Sequence, residues 1–101
     1  MKQYKLLPIH PGEVLLEEFL KPMHLSSQEV AIAIGISQEQ LDEILQCQRS
    51  LTADIALRLA QYFNTSARFW LGLQMDYDLD IATDAIDQPS GFITTKLPQS
   101  L

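Results

Sequence analysis

Two helix-capping signals separated by a single glycine constrain this chain more than any other feature. In LSSQEVAIAIGISQEQLDEIL, Ser26 and Glu29 stand at capping-box spacing, so each satisfies a backbone N–H at the start of a helix. Val30, Ala31, Ala33 and Ile34 then give a compact apolar side whose small residues permit close helix contact. Gly35 can adopt the left-handed conformation that ends a helix. Ser37 caps again, with Gln40 three residues on, and Leu41, Ile44 and Leu45 supply the inward side of the next helix.

Helical signals recur along the rest of the chain. In HPGEVLLEEFL, Pro11 suits the first helical position, where its missing N–H has no partner to lose. Glu13 falls in the first turn, where the helix dipole favours a carboxylate. Leu15, Leu16, Phe19 and Leu20 form an apolar stripe, and Pro22 stops the helix nearby. Thr52 caps ADIALRLAQYF, in which Ile55, Leu59 and either Tyr62 or Phe63 share one face and Ala56 and Ala60 a neighbouring one; Asn64 is a terminator. Ser66 caps ARFWLGLQMDYDLDIA, pinned to the body by Phe69, Trp70, Leu73 and Tyr77. The exit QCQRS has no glycine, so a positive φ at Cys47 carries strain that glycine avoids. After Ala82 the pattern fades into a Pro-Ser-Gly turn signal and a short β-like run, FITTKL, either a loose tail or a strand that pairs with a neighbour.

The 101 residues fit one small domain, and 47% apolar content is ample for a core. No apolar run approaches the ~18 residues of a membrane span. The N-terminus turns acidic where a secretory signal stays apolar, so a cytoplasmic protein is expected. Cys47 is the only cysteine, which excludes an internal disulfide and predicts a buried or half-buried thiol. His10 and His24 stand far apart without ligand spacing and, with Cys47, make no zinc site; each is expected to cap, pack or lie on the surface. The carboxylates Asp76, Asp78, Asp80 and Asp84 lack the central glycine and terminal glutamate of a calcium loop. Asp76 and Asp80 share a helical side suited to solvent or a basic partner. With no phosphate-cradling glycine loop and no nucleophile–base motif, neither an enzyme nor a cofactor is expected.

Two short helices joined across IGIS have the geometry of a helix-turn-helix, whose first helix lies across a DNA backbone while the second offers its N-terminal residues to base edges. Gln28 opens the first and can hold a phosphate together with nearby N–H groups. Ser37, Gln38 and Glu39 open the second. Gln38 can pair with an adenine edge and Glu39 can accept from cytosine N4, with Gln40 and Glu43 near enough to contribute. Arg49, just past the helix, is the base best placed for a phosphate. Each residue also has a plainer reading: Gln38 and Gln40 as solvated surface, Glu39, Asp42 and Glu43 as an ordinary acidic face, Arg49 as support for a turn. The net charge of −6 and the absence of Lys or Arg between residues 22 and 48 argue against a general polyanion binder. The fold expected is all-α: a compact five-helix domain over residues 1–82 containing the helix-turn-helix, with a loose or short-strand tail over 83–101.

The stretches HPGEVLLEEFLKPM and SLTADIALRLAQYFNTSARFWLGLQMDYDL, with the IGIS turn between them, resemble the HigA-type antitoxins, a branch of the XRE-like helix-turn-helix proteins. The resemblance covers residues 8–82. It implies an all-helical protein that forms homodimers, binds an operator in its own promoter and neutralises a RelE-like toxin, a small basic ribonuclease. The family's recognition segment falls on Ser37 to Glu43 and its first-helix phosphate contact on Gln28. Leu51 to Ala60 supports the fold, and Phe69 and Trp70 have structural roles. The chain departs from the family at QCQRS, where relatives carry an Asn-Gly turn followed by basic residues.

An operator-binding repressor that also masks a toxin is the function expected. Its alternatives are an acidic protein-binding antitoxin module with little DNA binding, and an orphan regulator without a toxin. The dimer surface has three candidates: the N-terminal MKQYKLL, the last long helix and the FITTKL run.

Overall fold

The computed structural model describes residues 7–86, so FITTKL and nearly all of MKQYKLL lie outside the described residues. Five helices follow one another. The first, α1, is α-helical over Pro11–Val14 and continues directly as π-helix over Leu15–Leu20. Then come α2 (Ser27–Ile34), α3 (Gln38–Leu45), α4 (Ala53–Phe63) and α5 (Ala67–Ile86). No strand occurs among the described residues, so the all-α expectation holds there.

Local chemistry places the helix boundaries. The hydroxyls of Ser26, Ser37, Thr52 and Ser66 each accept from the N–H three residues on, and Glu29 completes the capping box at Ser26. At the other ends, Gly35 (φ 81°) and Asn64 (φ 58°) take the left-handed conformation. Cys47 (φ 63°) does so too, and for a non-glycine residue outside the Asn/Asp class this stores strain. Its side chain is exposed, which corrects the expectation of a buried or half-buried thiol. The left-handed turn carries it away from the inward face of α3.

The π-winding of α1 has a packing consequence. The Leu16 carbonyl accepts from the Lys21 N–H five residues on, at 3.0 Å. Leu15 and Leu20, also five apart, are both buried, with Leu16 and Phe19 half-buried beside them. The helix gives way to a turn over residues 21–24, as Pro22 predicts, and His24 sits there at φ 56°. No sequence signal marks that strained position.

The core joins Leu15 and Leu20 to Val30, Ala31 and Ile34 of α2, Leu41 and Ile44 of α3, Leu51, and Ile55, Ala56 and Leu59 of α4, closed by Trp70 of α5. Ala33, expected on the buried side of α2, is exposed instead. Val30, Ala31 and Ile34 centre the packed face, and at ~100° per residue Ala33 falls about 100° away from that centre. It lines an open groove with Leu57 and Tyr62 of α4. On α4 the inward aromatic is Phe63, which meets Phe19 at 5.0 Å, while Tyr62 is exposed. α5 runs to Ile86, four residues past the point at which the apolar pattern fades.

Candidate nucleic-acid interface

The capped N-termini of α2 and α3 lie side by side. Gln38 Nε2 approaches Ser27 Oγ at 3.4 Å, linking the first residue of each helix. Gln28, Ser37, Gln38 and Glu39 are exposed on this surface, and Gln40 is half-buried. Ser37 Oγ accepts from the Gln40 N–H at 3.0 Å, leaving the amides of Gln38 and Glu39 without an intrahelical acceptor. Two positive dipole ends therefore converge where the sequence supplies no Lys or Arg. Side-chain amides, a hydroxyl and a carboxylate stand among them, a set that can donate to and accept from base edges.

Glu43 and Arg49 belong to the same helix and its exit but are not independent. Arg49 Nε donates to Glu43 Oε1 at 2.7 Å, and Nη2 lies 2.6 Å from the same oxygen in an ion pair. Neither the periodicity nor the spacing of six residues foretells this pair. Lys21 is paired with Glu17, and Arg58 with Asp54. The Arg58 Nη1 also donates to the Ile34 carbonyl at 2.7 Å, so this residue closes the C-terminus of α2 while its side chain stays 41% exposed.

The helices that present the surface are held from behind by polar groups. The Leu51 N–H, in the loop after α3, donates to Gln74 Oε1 at 2.7 Å, and Gln74 Nε2 donates to Asp78 at 2.9 Å. Gln74 is buried, and sequence reasoning missed it. The available signal was a lone amide four residues after Trp70, on the inward side of α5. His10 caps α1, its Nδ1 accepting from the Gly12 N–H at 2.9 Å while its ring meets Tyr77 edge-on at 4.9 Å. Burial pushes the imidazole below its ordinary value, opposed by the Arg49 backbone and the carboxylates of Asp78 and Glu13. The neutral ring that accepts from Gly12 is therefore the favoured form. Among the described residues no cluster of His, Cys, Asp or Glu can hold a metal ion.

Residues 16–70, which include both helices of this surface, match the Helix-turn-helix family model. Virulence-associated protein I of Dichelobacter nodosus is 51% identical over 74 residues, 73% of this chain and 68% of that protein. Antitoxin HigA-1 of Vibrio cholerae is 34% identical over 79 residues, 78% of this chain and 74% of that one. In three dimensions the fold superposes on the Pseudomonas aeruginosa antitoxin HigA, solved with the higBA promoter, with a TM-score of 0.80 and 42% identity over 89% of this chain and 99% of that one. The chain belongs to the helix-turn-helix family and, within it, is a close relative of the HigA-type antitoxins.

Proposed function

We propose that this protein is an operator-binding transcriptional repressor that also neutralises a toxin, and that it is not an enzyme. The outward presentation of the first turn of α3 beside the N-terminus of α2 carries the reading, in a chain 42% identical to an antitoxin solved with its promoter. Ser37, Gln38, Glu39 and Gln40 meet base edges, Glu43 contributes from the same helix, and Gln28 and Arg49 take phosphates. Helix N-termini supply attraction that the side-chain charges do not. Replacing Gln38 or Glu39 by alanine is expected to cost roughly 1–3 kcal/mol at one base position and to relax the sequence preference there. Arg49→Ala weakens binding to every duplex and flattens the salt dependence. Mobility shifts on the region upstream of the protein's own gene check both; operator binding unchanged in all three variants sinks the proposed surface.

The toxin partner is a small basic ribonuclease of the RelE-like kind. Net charge −6 and the exposed Asp76 and Asp80 suit a basic surface and speed its encounter. Stoichiometric loss of ribonuclease activity on mixing with the product of a neighbouring gene is the expected result; undiminished activity rejects that partner. The lack of Lys and Arg from 22 to 48 favours one rival reading, an acidic protein-binding module with little DNA activity. A folded protein that inhibits the toxin yet shifts no duplex establishes that rival. The described residues contain no helix long and apolar enough to cross a membrane, and the proposed place of work is the cytoplasm, with the operator.

A homodimer completes the reading. On α5, Met75 and Leu79 are each 57% exposed and Ile86 43%, and with Ala82 they follow one another at helical spacing along a single face. Self-association of this stripe forms an isologous interface and offers each α3 twice to a symmetric operator. Residues 83–101, including the last turn of α5, then act as an appendage to the globular unit. Leu79→Asp is expected to yield monomers in sedimentation; a persistent dimer places the interface elsewhere.

A further inference from the structure

We infer that Glu43 sets the DNA affinity of this protein by competing with phosphate for the Arg49 guanidinium, an inference that rests on the DNA-facing reading of α3. Glu43 Oε1 already accepts from Arg49 Nε at 2.7 Å and lies 2.6 Å from Nη2. Both side chains remain accessible, at 45% for Arg49 and 34% for Glu43, so the pair is weak and screened by salt. It can yield to a phosphate, but the phosphate must displace a carboxylate first.

The geometry of the loop keeps the two groups together. The left-handed turn at Cys47 reverses the chain directly after α3. Two residues past Arg49, the Leu51 N–H is fixed to the buried Gln74. Arg49 is thus held beside the last turn of α3, within reach of Glu43. No Lys or Arg lies between residues 22 and 48, so neither helix of the reading surface carries a cation of its own and masking Arg49 removes the first one to follow α3. Displacement has a second effect. Once Arg49 moves to a phosphate, Glu43 Oε1 is free to accept from a cytosine amino group, so backbone anchoring and base contact become linked events.

A different mechanism predicts the opposite coupling. If Arg49 only shields Glu43 from the duplex, its loss is most damaging when the carboxylate is present. If Glu43 withholds Arg49, its loss is most damaging when the carboxylate is absent. The full chain and its variants Glu43→Gln, Arg49→Ala and the double variant are titrated with the duplex upstream of the gene and with an unrelated duplex, over a range of salt. Circular dichroism checks that each is folded.

Glu43→Gln is expected to tighten binding to both duplexes, roughly two- to fivefold per protomer, the range set by exposed ion pairs. Arg49→Ala should cost more affinity when added to the Glu43→Gln variant than when added to the parent. In the Glu43→Gln background it should also lower the salt slope by about 0.9 per protomer, one phosphate contact. Equal losses in the two backgrounds, or a greater loss with Glu43 present, overturn the inference while leaving DNA binding intact. A folded wild type that binds neither duplex at low salt overturns the DNA-facing reading, and this inference with it.

Discussion

Gly12→Ala lowers stability by about 3 kcal/mol or more, the upper end of what overpacking costs. A methyl built at Gly12 collides with the Ile44 carbonyl oxygen and lies 2.7 Å from the carbonyl carbon. Both atoms are backbone of α3, so no rotamer change makes room; α1 and the last turn of α3 must part. Helix propensity argues the reverse, since glycine inside a helix is about 1 kcal/mol worse than alanine. The sign of the change therefore separates the two effects. At roughly 4–8 °C per kcal/mol for a domain of this size, the melting midpoint falls by ~12 °C or more. The neighbouring Glu13→Ala, at an exposed first-turn carboxylate, is the control, with a loss of ~1 kcal/mol at most. A midpoint for Gly12→Ala at or above that of the parent means that α1 does not rest on α3 in solution. The same contact bears on function, because separation at Ile44 displaces the turn that carries Arg49.

Gly12 also marks the boundary between what the sequence made legible and what it did not. Capping is local: a hydroxyl and an amide three residues apart find each other whatever surrounds them. Ser26, Ser37, Thr52 and Ser66 were accordingly readable, as were the terminators Gly35 and Asn64 and the strained turn at Cys47. The apolar stripes were readable for the same reason, since burial follows helical period. Contacts that join distant parts of the chain leave no periodic trace. The approach of Gly12 to Ile44, the buried Gln74 holding Leu51, and Arg58 closing α2 from 24 residues away all depend on how helices meet. Ala33 is exposed because it sits beside the apolar stripe of α2 without belonging to it, and Cys47 because it stands in the left-handed turn past the end of α3. At the interface the residue types and their helix were legible, while the Glu43–Arg49 pair, which decides how much positive charge is free, was not. Sequence could place these residue types together at the start of α3 but not the electrostatic state of the surface they share.

Trp70→Ala removes about 3–5 kcal/mol, the usual range for emptying a buried aromatic site. The indole is fully buried, and its ring stands 4.9 Å from Phe69, 5.0 Å from Phe19 and 6.4 Å from Phe63, so one side chain joins α1, α4 and α5. Its Nε1 donates to Thr65 Oγ1 at 2.8 Å, a bond that also fixes the turn between α4 and α5. Alanine forfeits the packing and the hydrogen bond together. Against a total stability of ~5–15 kcal/mol, this brings the fold close to its limit. Trp70→Phe separates the two contributions: it keeps an aromatic ring in the cluster and loses the donor, for about 1 kcal/mol from the hydrogen bond plus the smaller volume. Trp70 is the only tryptophan, so in the parent its fluorescence reports directly on this site as denaturant is added. Circular dichroism follows both variants on the same axis. A Trp70→Ala midpoint close to that of Trp70→Phe contradicts a central role for the ring. The effect extends to DNA, although Trp70 belongs to no reading helix: α5 carries Gln74, Gln74 holds the loop after α3, and that loop carries Arg49. Operator affinity measured well below the melting transition should therefore fall in Trp70→Ala and hold in Trp70→Phe.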